Sequence, residues 1–171
     1  DINAAQGSIV AEKLGGYFLT CDLTNTVEVN SLIERVTELC GGIDILVNNA
    51  GVQYICPIAE FPEDKWKMML QLMLTSPFIL TKHAIPHMKK QKWGRIINMG
   101  SIHSHVASLN KSAYVSAKHG LIGLTKSTAL ENGEFGITAN SVCPAYVKTP
   151  LVENQIADQA RTLKISREQV E

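Results

Sequence analysis

Four short apolar runs, each closing in a polar or glycine-containing turn and each followed by a stretch of helical periodicity, constrain this chain most. They are YFLTCDL at 17–23, IDILVNNAG at 43–51, GRIINMGS at 94–101 and GITANSV at 136–142. Continuous apolar runs of this length suit strands of a parallel sheet covered on both faces, whereas half-exposed antiparallel strands would alternate. Between them, Ile2 to Leu14 reads as a helix ending at Gly15-Gly16. Val27 to Cys40 repeats Val29, Leu32, Ile33, Val36 and Leu39 at helical spacing before Gly41-Gly42 stops it. A long helix is expected from about Glu63 to Lys90, bent or interrupted by Pro77 and Pro86, and another from 112 to about 132.

Strand and helix in alternation predict an α/β chain with a doubly wound parallel sheet in three layers, α/β/α. Ligands of open α/β sheets bind outside the carboxyl ends of the strands. Asp22, Asn48, Asn49, Ser101 and the loop 143–149 all fall at such ends, so the polar turns should share one crevice. The glycine-rich turn that would open a mononucleotide-binding half is not present, since Gly15-Gly16 ends a helix. Residues 1–171 are therefore expected to form a single incomplete Rossmann-type catalytic domain. It would lack its first strand-turn-helix and its last strand, and would bind a dinucleotide weakly as an isolated polypeptide.

The 16 basic and 16 acidic side chains balance, which favours neither nucleic acid nor an anionic membrane as partner. No apolar run reaches the roughly 18 residues of a conventional membrane span, and no signal peptide is visible, so the expected location is cytoplasmic. Cys21, Cys40, Cys56 and Cys143 are scattered through apolar segments without a CxxC pair and read as buried free thiols. His83 and His87 stand four apart on a predicted helix, but without an HExxH-type carboxylate they do not suggest a metal site.

The chemistry concentrates in YVSAK, which sets Tyr114 and Lys118 four residues apart on one helical face, with Ser101 upstream at a strand end. A phenol titrates near 10 in isolation, and a neighbouring ammonium favours its phenolate, which suits proton exchange with a substrate oxygen. The Ser101 hydroxyl would orient that same oxygen.

Taken together, NNAG at 48–51, Ser101, YVSAK, Asn140 and CPAYVKTP at 143–150 resemble the classical short-chain dehydrogenase/reductase family in order and spacing. The resemblance implies an NAD-dependent oxidoreductase in which Tyr114 is the general acid/base. Lys118 would lower the tyrosine pKa and bond the nicotinamide ribose, and Ser101 would fix the substrate oxygen. It also implies that Asn49, Ala50 and Gly51 wall the cofactor and that Asp22 and Leu23 contact the adenine. Pro144, Val147 and Thr149 would hold the nicotinamide amide and phosphate region. Asp1 resembles the acidic residue that bonds the adenosine ribose and repels a 2′-phosphate, selecting NAD over NADP, although it could also cap the helix that follows.

Within the family the substrate-side residues resemble the branch that acts on D-3-hydroxybutyrate. Gln53, Ser101, His103, Lys111, Tyr114 and Gln155 match that set, as do the NNAGVQ, WGRIIN and TPLVENQI strings. An ammonium at Lys111 suits a carboxylate, while Gln53, His103 and Gln155 offer directional hydrogen bonds; Lys111 and Gln155 could equally be solvated loop residues. The expected reaction interconverts D-3-hydroxybutyrate and acetoacetate in a homotetramer. Sugar alcohols, 3-oxoacyl thioesters and steroids stay open as substrates. Two positions depart from the family pattern. Met73 stands where an asparagine usually supports a helix bend and anchors a water, and Ala145 stands where glycine is usual. Both would suit an impaired homologue with a structural or regulatory role.

Overall fold

The computed structural model describes residues 1–145 together with 147, 156, 160 and 166. Three parallel strands, β1 (Ile45–Asn48), β2 (Gly94–Met99) and β3 (Ile137–Val142), lie side by side in that order. Register pairs Val47 with Ile97 and Asn98 with Ser141, so the carboxyl ends are level. Parallel neighbours need long crossovers. The first runs through helix α3 (Glu63–Leu70), a π-helical segment at Gln71–Thr75 and helix α4 (Ser76–Gln91); the second is helix α5 (Ser112–Asn132). Helices α1 (Ala4–Leu14) and α2 (Thr26–Cys40) precede the sheet.

The caps explain the helix bounds. Asn25 accepts from the Val27 and Glu28 amides at the start of α2, and Glu28 takes a hydrogen bond back from the Asn25 amide group. Gly41 ends the helix with φ +82°, a conformation that favours a residue without Cβ. Asn3, and not Asp1, caps α1; the Asp1 carboxylate accepts from the Asn3 amide at 2.9 Å.

Alternate residues of the strands divide the sheet. Leu46, Ile96 and Ala139 face a core shared with Val29 and Ile33 of α2 and Ile79, Leu80, Ala84 and Met88 of α4. Each Val, Leu, Ile or Met side chain among them contributes on the order of 1.5–3 kcal/mol by leaving water. A second cluster, Met69, Met73, Ala113 and Ala117, seats the first turns of α5 against the π-helical segment. The opposite sheet face carries Ile45 and Val47, 55% and 52% exposed. The α/β parallel class expected from the pattern is therefore present, with α2, α4 and α5 on one face of the described strands.

Three local expectations change. Residues 17–23 form no strand: a strand is defined by its ladder, and the segment's interstrand-like bond among the described residues is Cys21 N–H to the Asp1 carbonyl, at 3.3 Å. The α-helical run over 63–90 is interrupted by the π-helical segment just ahead of Pro77, whereas Pro86 lies inside α4 without ending it. Pro77 has no N–H to give to Met73, and the turn widens immediately before it, where Ser76 N–H reaches the Gln71 carbonyl. Lastly, only Cys21 is a fully buried thiol. Cys40 is exposed at the last turn of α2, and Cys56 and Cys143 are half-buried.

Candidate active site

The carboxyl ends of β1 and β2, the loop after β3 and the first turns of α5 converge on a cleft of about 930 Å³. Asn49, Ala50 and Gly51 enter it from β1, Ser101 and His103 from β2, Pro144 and Val147 from β3, and Tyr114 and Lys118 from α5. Asp1, Asp22 and Leu23 line it as well. Of the strand ends expected to share a crevice, Asp22, Asn49, Ser101 and the described loop residues Pro144, Ala145 and Val147 line this cavity together with Tyr114 and Lys118 of α5, whereas Asn48 turns away to Asn98.

A buried polar chain holds this end of the sheet to α5. The Asn48 amide donates to Asn98 Oδ1 at 2.8 Å, Asn98 donates to Thr125 Oγ1 at 2.8 Å, and Thr125 donates to the Leu121 carbonyl at 2.7 Å. Buried amides need such partners, since an unpaired one costs about 1–3 kcal/mol. The loop after β2 is fixed separately. Ser101 caps the short 3₁₀ turn Ile102–Ser104, accepting from His103 N–H, while Ser104 Oγ accepts from Ser101 N–H. Ile102 N–H then donates to the Pro144 carbonyl, joining this loop to the one after β3.

Lys118 is 4% exposed and its ammonium donates to the Met99 carbonyl. Burial lowers its pKa to about 8, opposed in part by the nearby Cys143. The ammonium lies 5.5 Å from the centroid of the Tyr114 ring. Yet the Tyr114 pKa is raised, because burial of the phenol outweighs a contact with the Ser101 hydroxyl that works the other way. Lys118 is not among the groups that shift the tyrosine, and its ammonium is given to a backbone carbonyl.

His103 sits edge-on to Tyr114, ring centroids 5.9 Å apart, with Nδ1 3.3 Å from Ser101 Oγ and Nε2 2.7 Å from Ser108 Oγ. Burial, then Lys111 and His119, hold its pKa below the ordinary value. At the far side of the cleft Asp22 accepts from both the hydroxyl and the amide of Thr24, which lowers its pKa.

Gln53 and Lys111 do not line the cleft. They sit in adjoining loops tied by Cys56 N–H to the Asn110 carbonyl. Lys111 is 1% exposed, which overturns its reading as a solvated loop residue, and burial lowers its pKa. Gln53 accepts from Tyr54 N–H, while its amide nitrogen is buried without a hydrogen-bond partner. Thr149 and Gln155 lie outside the described residues. Met73 is 1% exposed within the second core cluster, and its sulfur lies 3.6 Å from where a Cβ on Gly51 would stand. His83 faces Asn30 and His87 faces Asp44, so the two imidazoles serve different elements. The sequence did not point to Ser108 or to the Met99 carbonyl. A backbone acceptor leaves no mark in residue type, and a serine in a loop resembles any other.

The profile of the short chain dehydrogenases matches residues 1–160. The chain belongs to this family. It is 54% identical over 149 residues to a D-beta-hydroxybutyrate dehydrogenase of Rhizobium meliloti, covering 87% of this chain and 58% of that enzyme. A D-beta-hydroxybutyrate dehydrogenase of Cupriavidus necator is 44% identical, with 99% and 66% of the two chains covered. Among solved structures, sorbitol-6-phosphate 2-dehydrogenase from Erwinia amylovora superposes with a TM-score of 0.91 at 31% identity, over 99% of this chain and 70% of that one. A gluconate 5-dehydrogenase from Burkholderia cenocepacia, in complex with NADP and tartrate, gives 0.85 at 28% identity, over 94% and 65%. The short-chain dehydrogenase chain described here thus spans about three fifths to two thirds of the length of the curated relatives it matches.

Proposed function

We propose that the protein is an NAD-dependent oxidoreductase that interconverts D-3-hydroxybutyrate and acetoacetate. The observation that carries this reading is the convergence of Ser101, Tyr114 and Lys118 on one wall of a cleft whose other end holds Asp1 and Asp22. The donor set suits a dinucleotide. Asp1 would bond the adenosine ribose, Asp22 and Leu23 would flank the adenine, and Asn49, Ala50 and Gly51 would form the central wall. Lys118 would bond the nicotinamide ribose, with Pro144, Val147 and Thr149 at the amide. NAD, when bound, supplies the hydride acceptor for the carbinol carbon.

In the oxidation direction Tyr114, as phenolate, takes the substrate's hydroxyl proton while the carbon-bound hydrogen leaves as hydride. Ser101 steadies the developing alkoxide oxygen by donating its own proton in a hydrogen bond. Burial raises the Tyr114 pKa, and the Lys118 ammonium, 5.5 Å from the ring centroid, is the charge that would favour the phenolate. Gln53, Lys111 and Gln155 would read the carboxylate, the two ring nitrogens of His103 being engaged by Ser101 and Ser108. Gln53 and Lys111 are displaced from the cleft lining, in adjoining loops tied to each other.

That displacement also supports a second reading, a short-chain dehydrogenase acting on another alcohol or ketone, such as a sugar alcohol, a 3-oxoacyl thioester or a steroid. A catalytically impaired homologue is the reading that Met73 and Ala145 would favour. A homotetramer in the cytoplasm completes the proposal. It is supported by Phe78 on α4 and Leu130 on α5, 50% and 87% exposed, and by four free cysteines. No helix among the described residues is long and apolar enough to cross a membrane.

The test is initial-rate NADH oxidation by the full-length protein with acetoacetate, against NADPH and a panel of ketones. Turnover with NADH and acetoacetate is expected, falling at least about a hundredfold in Tyr114→Phe. Turnover confined to another ketone selects the second reading. Cofactor binding without turnover on any ketone selects the third.

A further inference from the structure

Ser101 Oγ has two acceptor lone pairs and one proton. Two donors stand ready for the lone pairs, the His103 amide at 3.2 Å and His103 Nδ1 at 3.3 Å. The outcome depends on which ring nitrogen carries hydrogen. If Nε2 carries it, Nδ1 is a bare acceptor and draws the Ser101 proton onto itself, away from the cleft. If Nδ1 carries it, both lone pairs of Ser101 are filled by donors and its proton has one remaining outlet, toward the cleft and Tyr114. The partner at the other ring nitrogen is Ser108, whose hydroxyl lies 2.7 Å from Nε2 and can donate or accept there. His103 itself has little freedom, being 5% exposed and packed edge-on against Tyr114 at an interplanar angle of 78°.

We infer that Ser108 and His103 are positioning residues for Ser101: Ser108 donates to Nε2, His103 is the Nδ1–H tautomer, and the Ser101 proton is thereby kept free for the substrate oxygen. Neither acts on the reacting atoms in this role. The inference rests on the reading of Ser101 as the residue that binds the substrate oxygen, and it adds Ser108, whose side chain no part of that reading uses. The 3.3 Å separation shortens when a substrate oxygen accepts the Ser101 proton, because a hydroxyl that donates becomes a better acceptor.

Long-range ¹⁵N NMR of the full-length protein labelled at histidine reads the tautomer without any turnover, with His103→Asn assigning the resonance among five histidines. The Nδ1–H form is expected in the wild type, and Ser108→Ala should move the ring toward Nε2–H. An Nε2–H ring in the wild type overturns the inference whatever the substrate proves to be. With acetoacetate as substrate, Ser108→Ala should lower kcat about threefold to tenfold at nearly constant KM, the range one neutral hydrogen bond spans. Ser108→Thr should restore it, and in a Ser101→Ala background the Ser108→Ala effect should vanish. Losses that multiply in the double variant would show that Ser108 does not work through Ser101. Absence of acetoacetate turnover alone speaks against the hydroxybutyrate reading and leaves the NMR result to decide the tautomer.

Discussion

Lys118 holds a charge in a place that resists charge, and this has a measurable sign. Its pKa is about 8 in the fold, against roughly 10.4 for an exposed lysine in the unfolded chain. Between those values the unfolded state binds more protons, so stability rises with pH through that window. Below pH 8 both states are protonated and the full penalty of burying the ammonium is present, on the order of 3 kcal/mol. Urea unfolding of the ligand-free protein should therefore show a midpoint that climbs from pH 8 to 10, a climb that Lys118→Met reduces, with the buried Lys111 contributing to what remains. A flat wild-type profile would mean the ammonium is better solvated than its 4% exposure implies. The YVSAK spacing made the Tyr114–Lys118 pairing legible, because side chains four apart share a helical face. It could not reveal that the ammonium is given to the Met99 carbonyl, since that contact belongs to the sheet end opposite the helix.

At the scale of elements, legibility followed how local the determining physics was. Caps and glycine stops lie within a few residues of the helices they bound, so α2 could be read to within about a residue. The π-helical turn at Gln71–Thr75 left the apolar pattern nearly unchanged and was invisible in it, although Pro77 marked the place. Residues 17–23 illustrate the opposite case, in which strand-like composition is not enough without a ladder partner. The turn into β3 offers a test of the local argument. Gly136 adopts φ +71°, and a Cβ there would meet the Lys92 carbonyl oxygen at 2.4 Å. Its own carbonyl accepts from Arg95 at 3.0 Å, so the turn cannot move freely. Gly136→Ala is expected to cost about 1–3 kcal/mol, read as a lower urea midpoint at constant m-value. A midpoint within error of the wild type would mean that the β2–β3 corner relaxes more easily than the close approach suggests.

For the whole molecule the decisive asymmetry is between the two faces of the sheet. One is closed by α2, α4 and α5, and at its carboxyl edge the cleft opens. The other presents Val47 beside Ile97 and Ile45 next to Arg95, while Met99 and Val142 at its carboxyl end line the cleft. Ile45, Val47 and Val142 keep 55%, 52% and 49% of their surface in contact with water. The continuous apolar runs in the sequence indicated strands meant to be covered on both sides, and the described residues cover one. Water contact along such a strip costs about 25 cal/mol for each Å² of apolar surface, and β1 is also an edge strand. The 171-residue polypeptide expressed by itself should therefore bind 8-anilinonaphthalene-1-sulfonate strongly and associate as its concentration rises. Ile45→Thr with Val47→Thr preserves β-branching, so it should weaken dye binding and association while leaving the far-ultraviolet circular dichroism unchanged. If the double variant binds as much dye as the parent, the exposed apolar surface lies elsewhere, with the rim residues Ile58 and Leu109, 79% and 80% exposed, the next to be replaced.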